Sequence, residues 1–293
     1  MSMQRVPLYI VIALALSATT VGFIMFTSHS YHKEITVSNE RELKATLEAG
    51  FAKLTVGRSK PETLFECSIA TDDERDATNY IDYSVRDKVG YLNLSTSDDD
   101  SHKKKKSFHL SGLDAGTWNT TFTDKVPISF DVELGVGKGD FDFSGLKVKD
   151  LSLSAGASTV SVRFNEPNKS EIDVLTIEAG LSKFEAKNLA NANFNRMKFE
   201  GGVGTYKLDF GGTVEKEMDV DIEVGLGSLT IALPQTLGAK VTYEKNIISN
   251  FDIDRDFTEQ SEDNYISSNY YSATGKINFH IEAGLGSVKI KRY

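Results

Sequence analysis

The sequence predicts an all-β protein: a single-stack β-solenoid, similar to a β-helix, behind an N-terminal transmembrane helix. Three observations carry that expectation. A glycine-centred pattern recurs seven times, apolar residues alternate with period two on both sides of each glycine, and one uncharged apolar stretch lies near the N-terminus. The anchoring glycines are Gly50, Gly135, Gly156, Gly180, Gly202, Gly225 and Gly284. From Gly135 to Gly225 their steps are 21, 24, 22 and 23 residues (156−135, 180−156, 202−180, 225−202). A step of that size marks one supersecondary unit stacked on copies of itself.

Taken from the N-terminus, residues 1–5 form a short tail expected to stay in the cytoplasm. Residues 6–26 contain no charged side chain, and about 20 such residues suffice for a helix to cross a bilayer. A membrane anchor is expected there; a cleaved signal peptide is the rival, although its apolar region is usually shorter, roughly 7–15 residues. Residues 27–39 read as a linker, with a helical turn starting over 40–45. Residues 40–117 read as the N-terminal part of the β domain, with strands at 80–85, 90–95 and 108–110. Residues 118–293 read as the glycine-hinged solenoid, interrupted by an acidic and aromatic insert at 246–274. Such an insert is expected to form a loop on one face or to cover an open end, and to be removable without loss of the fold.

With the glycine as position zero, positions −5, −3 and −1 are apolar or small in every copy, as in Val220, Ile222 and Val224. Positions +4 and +6 are apolar in six copies, as in Phe184 and Ala186; Gly139 breaks the rule after Gly135. Period-two alternation means strands with one buried face. The seven glycines are accordingly expected to be structural turns between two strands, since glycine takes positive φ without penalty. Polar stretches such as 165–170 and 188–195 would close each coil.

Position −2 is Glu in six copies: Glu48, Glu133, Glu178, Glu200, Glu223 and Glu282, with Ser154 in the seventh. Stacked coils would bring these carboxylates into a column. Like charges in such a column repel, so either the backbone amides of the turn and the lysines at +3 (Lys53, Lys138, Lys183) satisfy them, or they form a cation or partner ladder. Asp252, Asp254 and Asp256 begin like a calcium loop but lack its glycine and its final glutamate. The run from Gly135 to Asp140 has neither the repetition of a calcium nonapeptide array nor the following helix of a dinucleotide fingerprint. His29, His32, His102, His109 and His280 show no zinc spacing, and Trp118 reads as core or end cap.

The net charge of −9 excludes a basic face for nucleic acid. Lys103–Lys106 follows Asp98–Asp100 and reads as a solvated loop. Cys67, the single cysteine, permits no internal disulfide. No nucleophile elbow or phosphate loop is present. No catalytic residue, cofactor or metal is therefore expected.

Several stretches resemble a known family: Trp118 to Pro127, Leu151 to Val160, Glu178 to Gly180, Leu208 to Gly212, Gly225 to Pro234, and, nearer the N-terminus, Gly50 to Val56 and Gly90 to Leu94. Together they are similar to the membrane-anchored toast-rack domain of LiaF-like, cell-wall-active-antibiotic response proteins, over roughly residues 40–293. The resemblance implies an extended β-helix-like sheet without catalytic residues and, for some members, a role in sensing or restraining an envelope-stress kinase. Those regulators carry several membrane helices, where this sequence offers one apolar span.

The expectation for function is a non-enzymatic, single-pass membrane protein with its bulk outside the cytoplasm. It would act as a scaffold, sensor or interaction module of the envelope, with a protein partner there. A surface adhesin is the alternative, and a β-helix polysaccharide-active enzyme a further one.

Overall fold

The computed structural model describes residues 29–71, 81–95, 116–244 and 249–293. The anchor expected at 6–26, the strand at 108–110 and the lysine run lie outside the described residues. Among the described residues no helix is long and apolar enough to cross a membrane.

Each glycine copy is one long strand. In chain order these are β2 (Glu42–Arg58), β7 (Ile128–Asp142), β8 (Val148–Arg163), β9 (Ile172–Lys187), β10 (Phe194–Asp209), β11 (Glu217–Leu233) and β16 (Lys276–Arg292). They pair in parallel in the order β2-β7-β8-β9-β10-β11-β16. The inward positions of these strands are mainly apolar, as the period-two pattern requires.

The glycine does not separate two strands, which corrects the expected turn. Hydrogen bonding to the neighbouring rung runs on past it, and the strand bends there instead. In β9 Gly180 and Leu181 both face outward, so the alternation slips phase at that point. The two halves of a rung then face each other across the core: the ring of Phe199, before the corner, lies 5.4 Å from that of Tyr206, after it. Phe184 of the rung below sits 5.4 Å from Phe199.

Close approach explains the anchoring glycines better than dihedral freedom does. A Cβ on Gly284 would stand 2.3 Å from the carbonyl oxygen of Gly225, and one on Gly156 2.4 Å from that of Gly135. The positive φ falls two residues later, at Gly137, Gly227 and Gly286, with φ 140° at Gly227. At Gly139, where the apolar pattern fails, a Cβ would meet the ring of Phe141 at 2.5 Å; that ring occupies the space of the missing side chain.

Away from the corner, asparagines tie successive coils together. Buried Asn168 donates to the carbonyls of Val148 (2.7 Å) and Ala192 (3.0 Å) and accepts from the amide of Val148 (2.9 Å), so one side chain spans three rungs. Asn191 lies in a short 3-10 turn, Leu189–Ala192. It donates to the carbonyl of Phe164 and accepts from the amide of Thr213.

The two long gaps between glycine copies hold the terminal rungs: after β2 the chain builds the rung outside it before laying β7 on its other face, and after β11 it builds the far rung before β16 fills the space between. At the N-terminal end β5 (Val89–Ser95) pairs with the first half of β2, and β6 (Gly116–Phe122) with its second half. Outside them lie β4 (Ile81–Arg86) on β5, β3 (Thr63–Thr71) on β6, and β1 (His29–Thr36) on β3, all antiparallel. The stretch expected as a linker thus contains β1, and 42–45 belong to β2 rather than to a helical turn.

At the other end β12 (Gly238–Glu244) and β13 (Ser249–Ile253) pair with the first and second halves of β16. A hairpin of β14 (Phe257–Ser261) and β15 (Asn264–Ser267) covers β12. The acidic insert is therefore the completion and cap of the last rung, with Phe257 buried, and not an appended loop. Trp118 is buried in β6. Antiparallel caps give the exposed sheet edges short strands in place of a long open rung.

Candidate interaction face

The strand register decides what the corner presents. Each anchoring glycine stacks on the one before, so Gly50, Gly135, Gly156, Gly180, Gly202, Gly225 and Gly284 form one column. Two residues earlier the acids align. Glu48 pairs with Glu133, Glu178 with Glu200, Glu200 with Glu223, and Glu223 with Glu282; Ser154 interrupts the column between Glu133 and Glu178. Glu244 of β12 adds a carboxylate beyond Glu282. The sequence pattern missed it because no anchoring glycine follows it. Its apolar alternation, Val241 and Tyr243 before Glu244, was the available signal.

From Ser154 onward, Glu178, Glu200, Glu223, Glu282 and Glu244 line an open groove along the corner with the glycine backbone. The lysines at +3 do not neutralise it. Among the described residues, Glu178, Glu200 and Glu223 make neither an ion pair nor a side-chain hydrogen bond. Glu48 does have a partner, the Ser95 hydroxyl, which donates to it at 2.9 Å.

At the C-terminal end of the column the imidazole of His280 lies 3.4 Å from Glu282 and 3.6 Å from Glu244. Their three ligand atoms all fall within 4.8 Å of one another, so this trio could supply three donors to a cation. Histidine spacing could not reveal it, because Glu244 arrives from a different strand. His32 instead faces Ser68 and Glu66 on β3; His102 and His109 lie outside the described residues.

A second row, one residue after the glycine, is apolar and faces solvent. Leu181 is 64% exposed, Val203 45%, Leu226 44% and Leu285 46%. They stand on adjacent rungs in direct register. This ridge was legible, since position +1 is apolar in all seven copies, but alternation directs attention to buried positions. Beyond it, Lys183 and Lys207 border a shallower groove.

The aspartates of the insert serve internal contacts. Asp252 receives Lys289 at 2.6 Å, Asp254 accepts the amides of Asp256 (3.0 Å) and Arg292 (3.2 Å), and Asp256 pairs with Arg292 at 3.1 Å. The Arg292 side chain is 2% exposed and also donates to the carbonyls of Leu237 and Gln235. The backbone amides hold the Asp254 carboxyl below its ordinary range, with Arg292 and Arg255 adding to the effect. Asp140 likewise pairs with Arg163 at 2.6 Å. Cys67 is buried, and burial pushes its thiol up to about 12.

A single stack of parallel rungs, bent at a glycine column and capped at both ends, defines a β-solenoid that offers other molecules repeating rows of side chains. The chain belongs to the toast-rack family: the family described as the N-terminal domain of toast_rack, DUF2154, matches residues 26–186 and 174–232. No curated protein matches.

Among solved structures, a candidate cell adhesion protein from Clostridium sporogenes is 22% identical with a TM-score of 0.45, covering 91% of this chain and 100% of its own. A candidate adhesin from Bacteroides fragilis is 14% identical with a TM-score of 0.30, covering 90% and 97%. A candidate lipid-binding protein from Parabacteroides distasonis is 13% identical with a TM-score of 0.26, covering 89% and 97%.

Proposed function

We propose that this chain is a non-enzymatic interaction module of the cell envelope, tethered at the membrane by its N-terminal apolar segment and binding a protein through the outward corner of its solenoid. The observation that carries the reading is the pairing of two rows along one edge. A carboxylate row, with Glu178, Glu200 and Glu223 left without side-chain partners, runs beside exposed leucine and valine side chains that stand in register over four successive rungs. Such a strip meets a partner many times with the same chemistry, which suits docking. Catalysis instead needs unlike groups converging on one point. A surface adhesin would use the same edge outside the cell.

The test is photocrosslinking in intact cells, with a photoreactive amino acid placed at Leu226 on the corner of β11 or at Lys187, away from the corner at the far end of β9. The expected result is a discrete adduct with an envelope protein from position 226 and none from position 187. Absence of an adduct from 226, or the same adducts from both positions, overturns the reading. An adduct formed only when cells meet a foreign surface replaces it with adhesion.

A further inference from the structure

Resting on that reading of the corner, we infer that its partner is a second copy of this chain, docked ridge to ridge with the two solenoid axes parallel. The ridge is the starting point. Leu181, Val203, Leu226 and Leu285 occupy consecutive rungs about 4.8 Å apart, each 44% exposed or more. In-register Val136 and Ala157 carry the row on toward the N-terminal end. A contiguous apolar row rimmed by polar side chains is the usual mark of a protein contact rather than of free surface.

The two flanks of the ridge carry opposite charge. On one side the row at −2 is Glu or Ser in all seven copies. On the other the row at +3 is Lys, Thr or Ser, with Lys53, Lys138 and Lys183 the charged members. Beyond those, at +5, Lys207 adds positive charge on the same side, where Lys289 is already held by Asp252, Asp140 by Arg163, and Glu185 by Lys187.

A two-fold axis running along the stack exchanges these sides: the acidic row of one copy faces the lysine row of the other, and each ridge faces its twin. A two-fold axis across the stack would set acid against acid. Charge therefore selects the parallel arrangement, which also places both N-termini at the same end, as two chains tethered in one membrane require. Unpaired Glu178 would face Lys183 of the other copy, and Glu200 would face Lys207, cationic neighbours that the single chain does not give them. A lipid surface fits worse, because the acidic row would face anionic headgroups. Short antiparallel strands on β5, β6 and β12 likewise disfavour end-to-end growth there.

The test uses the full chain in mild detergent, weighed by sedimentation equilibrium. A dimer is expected that weakens as salt rises. Leu181→Lys combined with Leu226→Lys should weaken it at least tenfold with the circular dichroism spectrum unchanged. Because these side chains point to solvent, the fold should survive; if it does not, Leu226→Ser alone serves as the second variant.

Orientation is read by Leu285→Cys. Cys67 is buried, so this variant carries one reactive thiol among the described residues, and oxidation should link two copies through position 285. A monomer at every concentration, a dimer indifferent to both ridge variants, or a dimer in which position 285 does not link to itself each overturns the proposal. The interaction reading survives any of these if position 226 still captures a different envelope protein in cells, and falls separately if it captures none.

Discussion

In the middle of the stack β7 to β11 each run unbroken around the corner, whereas each terminal rung is assembled from two separate strands. The halves β5 and β6 at one end, and β12 and β13 at the other, meet the same neighbours in the same register that a whole rung would. The difference shows what the glycine column is for. At the bend the backbone of each rung lies against the glycine carbonyl of the rung before it, so a Cβ there would collide. The terminal rungs pair only up to the corner and beyond it: their halves stop at Ser95 and Glu244 and resume at Gly116 and Ser249. Antiparallel strands then cover both halves at the N-terminal end and the β12 half at the other.

The comparison breaks most decisively in the core. Phe199→Ala, at the centre, should cost about 3–5 kcal/mol, as deletion of a fully buried phenylalanine does. Phe257→Ala, in the C-terminal cap, should mainly raise hydrogen exchange in β14 and β15 while leaving β9 and β10 protected. Urea unfolding with exchange measured by mass spectrometry reads both. Equal global losses would show that cap and centre are one cooperative unit.

The corner gives the next effect. Gly227 combines φ 140° with a Cβ position 1.9 Å from the Gly204 carbonyl oxygen. Gly227→Ala should therefore destabilise by about 3 kcal/mol through strain and backbone displacement. Ser228→Ala, beside it on the outside, should stay within about 0.5 kcal/mol. If urea midpoints show the two variants alike, close packing of the bends is not what holds the rungs.

The smallest effect concerns the polar links between coils. Burial raises the pKa of Asp142, but the hydroxyl and amide of Ser144 together with Arg163 outweigh it and hold the carboxyl below its ordinary 3.8. A carboxyl depressed in the folded state adds stability above its unfolded pKa and loses it as pH falls through the folded one. The chain should accordingly weaken from about pH 4 downward. Asp142→Asn should be less stable than wild type at neutral pH and converge with it in acid. Thermal melts across pH 2–7 measure this; a constant gap at all pH would assign the loss to packing instead.

Much of this architecture was legible in the sequence, for a physical reason. A parallel stack repeats its environment every rung, so the same residue types recur at the same offsets, and Val220, Ile222 and Val224 announce the core that Met197, Phe199 and Gly201 announce one copy earlier. The acidic column was legible on the same ground. The split rungs were not. Glu244 and Ser95 occupy the column position of Glu282 and Glu48, but no corner glycine follows them, so no pattern anchored on glycine could find them. The strand at 29–36 was hidden for a different reason. It pairs antiparallel with β3, more than 25 residues away in sequence, and its own residues His32, Lys33 and Glu34 suggest only a polar linker.

By itself the sequence determined the rung: its length, its buried face, its bend and its place in the toast-rack family, because those follow from period, side-chain size and one obligatory glycine. Tertiary structure alone decided the order of the rungs and what lies beside what. Chain return inserts β7 next to β2 and β16 next to β11, and a hydrogen-bonded edge accepts whichever strand reaches it in register. For that reason the carboxylate column, the His280 cluster and the exposed ridge became surfaces only once the stack was closed.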